Sequence, residues 1–558
     1  GGSVWTSLHM MQELLACAFA ACAFTVALWI RYGYGGLLDL LLNHNYRPDG
    51  KKIESLRPVS FPFGSLLDMM NNPEKTRDRM IEIARRNGGM VVVWEAFSPV
   101  VYAFDLKHIN LMWNTDFTLN KTDRSLLPSL RTKLLLGNSL FTLDVARWRH
   151  LHKIILRAGL GSRHLRGVFP AVCDGGDRIW MKIDKAVQRA LSESKKNHVE
   201  ALGLELNPGI ELHPFCREFA ISTITSVIFG DAIDEKQGLR LGELVDFFVR
   251  KGVNNPLYAI PGATYIPFGE SRKVMQTIRE IQAIGDVLIQ QRSEREAREE
   301  VKRDAGDDAD GPSRRVGDGP ASTSIFDNLK AEAEKGNLSY DEVLDNVYGL
   351  MAAGFDTTAN AISLSVTMLS LHPVVQMKVR KEIQAALGKG DGSCKDLTYD
   401  VVMSSTDLPY LNAVIKETLR MLPPAVKLPA RILKRRTEVN GFSLQRGSEI
   451  STMQYQTSAM KEHWGGNAKH FYPERFLGEG GVSVECVKGG RFSSFGLGIR
   501  SCIGKNLAIM CVKVFLVNLL TRFEISMASH HSRRNWEIAL PLLKIREGIR
   551  FHMKSVTS

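Results

Sequence analysis

Residues Phe492–Ala508 read FSSFGLGIRSCIGKNLA, with three glycines, one arginine and one cysteine set directly before an apolar run of helical spacing, IGKNLAIMCVKVFLVNLL. Gly496 and Gly498 allow a tight turn and the close approach of a flat group to the backbone. Cys502 precedes a helix start, where unpaired N–H groups and the positive end of the helix dipole favour thiolate over thiol. A thiolate is a metal ligand or a nucleophile. A nucleophile calls for a nearby base, and no local histidine supplies one. An inert cysteine accounts for the sulfur but leaves the glycines and Arg500 without a task.

A second concentration of chemistry is AAGFDTTAN, Ala352–Asn360, inside the apolar helical pattern Asn346–His372. Gly354 costs about 1 kcal/mol relative to Ala in a helix interior, and burying Asp356, Thr357 and Thr358 without partners is expensive. A structural reading has Thr357 bonding the carbonyl four residues back while Gly354 allows close packing. The SYDE pattern from Ser339 predicts a capping box that opens this helix. Further along, Glu417 and Arg420 in KETLR stand three apart on one helix face. LPAR, ending in Arg431, and PERF, Pro473–Phe476, follow them. Upstream, ARWRHLHK carries Trp148 and His152 four residues apart. Helical periodicity also covers Val274–Arg298 and Pro373–Leu387, whereas Met90–Trp94, Val100–Phe104 and Phe442–Thr452 read as strands. The body is expected to be mainly α with a minor β-sheet region.

The spacing F-x-x-G-x-R-x-C-x-G, filled at every fixed position from Phe495 to Gly504, resembles the haem loop of the cytochrome P-450 family, and of its eukaryotic microsomal members, fungal ones among them. That resemblance implies haem b (iron protoporphyrin IX) with Cys502 as axial ligand. Gly498 and Gly504 would clear the porphyrin face, Arg500 would neutralise a propionate, and Phe495 would pack beside the sulfur. KETLR, Arg431 and PERF stand in the family's order, and KETLR is expected to join a buried ion-pair network near the haem loop. AAGFDTT resembles the oxygen-activation segment, which makes Asp356 and Thr357 the expected proton relay at a local opening of the helix. Trp148 and His152 match the propionate-binding helix, with His152 standing where the family usually has Arg. Arg431 and Arg500 are therefore expected to carry more of that load.

The implied fold is the cytochrome P-450 fold behind an N-terminal transmembrane helix. The implied activity is a monooxygenase that uses O2 and two electrons from an NADPH-cytochrome reductase, with cytochrome b5 as a second donor. It would oxidise a small lipophilic substrate in secondary-metabolite, terpenoid or lipid metabolism. A haem-thiolate isomerase or dehydratase working without external oxygen, and a non-catalytic haem-binding protein, are the alternatives. Segments expected to line the substrate pocket are Ser125–Leu143, Asn254–Tyr265 and Leu540–Lys544. Arg147, Arg149, Lys153, Arg157, Lys488, Arg491 and Lys505 could form a docking face for an acidic reductase.

The rest of the chain sets the address. Leu14–Ile30 is 17 uncharged residues, a span of about 25 Å at roughly 1.5 Å per residue. Arg31, Arg47, Lys51, Lys52 and Arg57 follow it and no Lys or Arg precedes it, so the positive-inside rule puts the body on the cytosolic side. The expected organisation is an anchor over 1–31, a Pro- and Gly-containing hinge over 32–60 and a catalytic domain over 61–558, single-pass in the endoplasmic reticulum membrane. Asp304–Thr323, charged and Gly-rich, is expected to be a mobile surface loop within that domain. Eight dispersed cysteines without a CxxC pair argue against a disulfide framework or a zinc site. The net charge of +12 points to an acidic partner. No aromatic-basic platform supports nucleic acid, and none is expected as a partner.

Overall fold

The structure, a computed structural model, describes residues 52–556 apart from 58–64, 96–97, 106–108, 111, 113–117, 121–134, 144, 197–208, 231–233, 249–250, 252–268, 305–323, 388–396, 479–490, 529–535, 540–541 and 547. The helices in chain order are α1 (Leu66–Asn71), α2 (Pro73–Arg86), α3 (Val145–Ile155), α4 (Ser162–Lys196), α5 (His213–Phe229), α6 (Glu235–Phe247), α7 (Glu270–Asp304) and α8 (Ile325–Glu334). They continue with α9 (Tyr340–Leu371), α10 (Pro373–Leu387), α11 (Tyr399–Met403), α12 (Pro409–Met421), α13 (Gln454–Thr457), α14 (Lys461–Trp464) and α15 (Lys505–Arg522). The strands are β1 (Met90–Glu95), β2 (Ser98–Ala103), β3 (Thr118–Asn120), β4 (Ile210–Glu211), β5 (Arg431–Leu433), β6 (Thr437–Val439), β7 (Phe442–Leu444), β8 (Glu449–Ser451), β9 (Phe523–Met527), β10 (Trp536–Ala539), β11 (Leu542–Ile545) and β12 (Arg550–Ser555). Among the described residues the fold is mainly helical with a minor sheet region, as the periodicity predicts.

The helix α9 is the axis of the molecule, and its sequence explains why. Ser339 Oγ accepts from Glu342 N at 3.2 Å while Ser339 N donates to the Glu342 carboxylate at 2.9 Å, so the expected capping box is present. Beyond that cap the helix is apolar on most faces, and it packs against α5, α12 and α15. Four of its buried polar side chains are satisfied within the helix: Asn360, Ser363, Ser365 and Thr367 each donate to the carbonyl four residues back. At Gly354 a Cβ would stand 2.9 Å from Ile224 Cδ1, which explains the glycine as the close crossing point with α5. The helix runs unbroken through this position. The expected local opening is absent, because close packing rather than a lost backbone bond is what the glycine provides.

The main sheet has the order β1-β2-β8-β5-β3, with β2 and β8 parallel and the other pairs antiparallel. Phe442–Thr452, expected as one strand, divides into β7 and β8 around a turn in which Gly447 takes φ +88°. Residues 53–56 were expected in the hinge. They pack onto the sheet instead, with Leu56 N donating to Val92 O at 2.8 Å and Ile53 and Leu56 buried. Three further antiparallel groups are present among the described residues: β6-β7, and β4-β12-β9 and the hairpin β10-β11, which lie against the helices, with β11 touching α9.

The anchor over 1–31 and most of the hinge lie outside the described residues, as does the loop over 305–323. Among the described residues no single helix is long and apolar enough to cross a membrane. The bent pair α9 and α10 passes that test only together, across a 112° angle. Most of α9 is buried inside the protein, so it is a core element.

Candidate functional site

The Cys502 loop is shaped by its glycines. Gly496 and Gly498 take φ +73° and +62°, in the left-handed region that an L side chain rarely adopts. Cys502 N donates to Phe495 O at 2.7 Å and Gly496 N to Ser493 O at 2.7 Å, which folds the loop back on itself before α15 begins at Lys505. Ser494 Oγ donates to Leu419 O at 2.8 Å, fastening the loop to the end of α12.

That loop and the middle of α9 face each other across a cavity of about 380 Å3. Thr357, Trp148, His152, Arg431, Phe495, Arg500, Cys502 and Gly504 all line it, so eight of the ten expected site residues converge. Gly498 and Asp356 are not in the lining. Gly498 serves the turn through its positive φ rather than by clearing a face. Gly504 does border the open space, since a Cβ there would meet only Cys502 Sγ, at 3.9 Å.

One end of the cavity is cationic and aromatic. The Arg500 guanidinium lies 4.2 Å from the centroid of the Trp148 ring and donates to Leu143 O at 3.1 Å. Trp148 stacks obliquely on His152 at 4.5 Å. Burial and then the neighbouring Arg500 charge push the His152 imidazole below its usual range, so at neutral pH it is uncharged. Arg431 is 8% exposed and burial lowers it to about 10, still a cation at neutral pH. The two arginines therefore carry the positive charge, as the sequence departure at His152 suggested.

Beneath the loop, Glu417 and Arg420 are fully buried and paired bidentately, Nε to Oε2 at 2.7 Å and Nη2 to Oε1 at 2.8 Å. Arg420 also donates to the backbone carbonyls of Ser458, Ala468 and His470. Glu417 Oε1 accepts from Tyr472 N at 2.9 Å and Arg475 Nε at 3.0 Å. Every charge in the cluster has a partner, the condition under which buried ions are tolerated. The expected ion-pair network is thus in place beside the cysteine loop.

A family model described as cytochrome P450 matches residues 57–551. The chain belongs to the cytochrome P450 family. It is 24% identical over 432 residues to the putative cytochrome P450 CYP13A6 of Caenorhabditis elegans, covering 73% of this chain and 74% of that protein. It is 28% identical over 362 residues to cytochrome P450 714D1 of Oryza sativa subsp. japonica, covering 63% of this chain and 58% of that one. Cytochrome P450 3A2 of Rattus norvegicus is 32% identical over 200 residues, 36% of this chain and 37% of the rat protein. Membership makes this cytochrome P450 a monooxygenase, an oxidoreductase whose family holds haem b through a cysteine thiolate.

The cavity of this cytochrome P450 fits that group. Two cysteines line it, and they differ in kind. Cys511 is buried in α15 with its thiol pushed up to about 12, whereas Cys502 is exposed where it lines the cavity. The helix-start argument predicted a lowered thiol at Cys502. The structure corrects this: desolvation raises it, and the Gly504 N–H and Lys505 pull only partly against that. A bound metal cation would supply the missing stabilisation, since coordination displaces a thiol proton. Two arginines in the lining, Arg431 buried and Arg500 half-buried, suit a pair of carboxylates.

Other expectations meet a mixed result. Thr357 lines the α9 wall with its Oγ1 donating to Ala353 O at 2.7 Å, the back-bond anticipated from sequence. Asp356 points elsewhere. It is 3% exposed and Lys544 Nζ stands 2.9 Å from its Oδ2, and the same ammonium lies 2.6 Å from Asp246 Oδ1. A direct path from Asp356 to solvent is therefore not present in this arrangement. Sequence reasoning missed Lys544 and Asp246, which lie far from Asp356 along the chain.

Of the pocket segments, Ser139, Leu140 and Phe141 do line the cavity, and Asn254–Tyr265 lies outside the described residues. Leu542–Lys544 does not line it, because Leu543 is buried in a separate core cluster with its N–H on Pro424 O. The wall there is built instead by Pro424, Ala425, Leu428 and Pro429, an apolar stretch between the KETLR helix and Arg431 that the sequence displays openly. In the basic cluster, Arg147 is committed to Glu342 at 2.5 Å, and Lys488 lies outside the described residues.

Proposed function

We propose that this cytochrome P450 is a membrane-anchored haem-thiolate monooxygenase that oxidises a small lipophilic substrate, with Cys502 as the axial ligand. The observation that carries the reading is the convergence of Cys502, the two cavity arginines and Thr357 on one largely apolar cavity. The bound haem would supply oxygen activation, favoured by thiolate donation to the iron. Cys502 would give up its proton on ligation. Arg431 and Arg500 would hold the two carboxylates, with Trp148 and neutral His152 packed beside them, and Phe495 would shield the sulfur. Leu140, Leu350, Ala353 and Leu428 would exclude water and select for apolar substrates. Thr357 would hold a proton on the α9 wall, and its resupply would depend on Asp356 releasing Lys544.

An NADPH-dependent reductase, with cytochrome b5 as a second donor, would deliver the electrons. The support is the family itself and the basic residues Lys153, Arg157, Arg491 and Lys505. The apolar segment Leu14–Ile30 supports a single-pass anchor in the endoplasmic reticulum with the body in the cytosol. The test is Cys502→Ser: the reduced carbon monoxide complex should lose the red-shifted absorption band that marks thiolate ligation in this family. A normal band in a folded variant would remove Cys502 as ligand.

A further inference from the structure

A second cavity, of about 410 Å3, lies between α4, α5 and α6 and shares no lining residue with the first. Its walls are single helix faces: Arg178 and Ile179 from α4, Arg217, Ile221 and Ser222 from α5, and Leu239 from α6. Glycine is what keeps α6 close here, since a Cβ at Gly242 would stand 3.1 Å from Ile221 Cδ1 and 3.2 Å from Arg217 Nη2.

The charges in this groove do not balance among themselves. Lys182 is paired with Glu218 at 2.5 Å, and Glu243 is taken by Arg240 at 3.2 Å. Arg178 and Arg217 have no carboxylate partner among the described residues. Arg178 reaches only Ser222 Oγ, at 3.5 Å. Arg217 is half-buried, its guanidinium 5.4 Å from the centroid of the Phe355 ring, and its Nη2 is fully buried without an acceptor. A guanidinium carries five donors and cannot shed its charge, so one taken partly out of water calls for an anion. Ile179, Ile221, Leu239 and Pro214 add apolar wall around the two cations.

We propose that this groove is a second binding site, for an organic oxyanion: a carboxylate or phosphate ester carried on a small apolar body. Arg217 and Arg178 would hold the charged head, Ser222 would donate to it, and the apolar wall would take the tail. The bound anion would also be linked to the central helix through Arg217. Phe355, on which Arg217 lies, directly precedes Asp356 and Thr357. Occupancy would therefore be read by the wall of the first cavity, without entering it.

The test is calorimetric titration of the holoprotein with hexyl phosphate and with decanoate, repeated with imidazole saturating the first cavity. Saturable binding that persists under imidazole is expected, weakened about tenfold or more by Arg217→Gln, as loss of a charge-assisted hydrogen bond implies. Arg178→Gln alters an exposed side chain and should weaken binding in the same direction without risk to the fold. Co-flotation with vesicles containing phosphatidic acid, measured against phosphatidylcholine vesicles, separates the two sources. Binding of the soluble probes assigns a free metabolite, whereas capture by the acidic vesicles alone, lost in both variants, assigns a lipid headgroup. Absence of binding to either, indifference to both substitutions, or abolition by imidazole would each overturn the proposal.

Discussion

Lys544→Met is the sharpest test of how the charges behind α9 are arranged. Lys544 is 2% exposed and lies 2.9 Å from Asp356 and 2.6 Å from Asp246. At an effective dielectric constant of about 20, the attraction across 2.9 Å is roughly 6 kcal/mol, which desolvation of both ions largely offsets. What the substitution exposes is the cost of a carboxylate left buried without its cation, about 3–5 kcal/mol. Asp246 has a side chain 22% exposed and can recover water, whereas Asp356 at 4% cannot. The expected loss is therefore about 3 kcal/mol, nearly all of it traceable to Asp356. Denaturant midpoints of wild type, Lys544→Met, Asp356→Asn and the double variant form the cycle. The double variant should be more stable than Lys544→Met alone, because the stranded charge is gone. Additive losses in that cycle, or a shift below about 0.5 kcal/mol for Lys544→Met, would refute the buried triad.

Three other outcomes are expected. Gly159→Ala would place a Cβ 2.0 Å from Ile325 Cγ1, so it should cost about 1–3 kcal/mol, and Ile325→Ala, which deletes that atom, should cost less in the Gly159→Ala background than on its own in thermal melts. Lys513 is buried and pushed down to about 8 from an ordinary value of 10.5. The unfolded chain therefore binds the extra proton between those values, stability should rise as pH climbs through that window, and Lys513→Met should flatten the rise in pH-dependent denaturation curves. Thr357→Ala removes one hydrogen bond to Ala353 O but gains helix propensity, so the melting temperature should hardly move. The same variant should divert NADPH-derived electrons to hydrogen peroxide, and unchanged coupling would reject its assigned role.

The parts of the site that were legible in sequence are those whose geometry is local. The cysteine loop depends on two positive-φ glycines and a following helix within a dozen residues, so spacing alone displayed it. The capping box and the Thr357 back-bond were equally readable, because each spans three or four residues. The orientation of Asp356 could have been read but was not. Ala353, Gly354, Thr357, Thr358 and Ala361 form one helical stripe on the cavity, and at 100° per residue Asp356 falls outside it. Its partner was beyond reach. Lys544 arrives on a hairpin near the other end of the chain, and nothing in the pattern of β10 and β11 marks a buried cation. The sign of the Cys502 shift also escaped, since a helix start is visible in sequence whereas the protein atoms that desolvate the sulfur are a tertiary outcome.

Arg420 grips the chain through the carbonyls of Ser458, Ala468 and His470, and Arg475 through those of Trp464, Asn467 and His470. Main-chain oxygens are common to all twenty amino acids. The path from 458 to 475 is thus moulded by two guanidinium forks reading the peptide scaffold, with little said about which side chains it bears. Substitutions along that path can accumulate while its trajectory stays fixed, provided Glu417 and the two arginines persist.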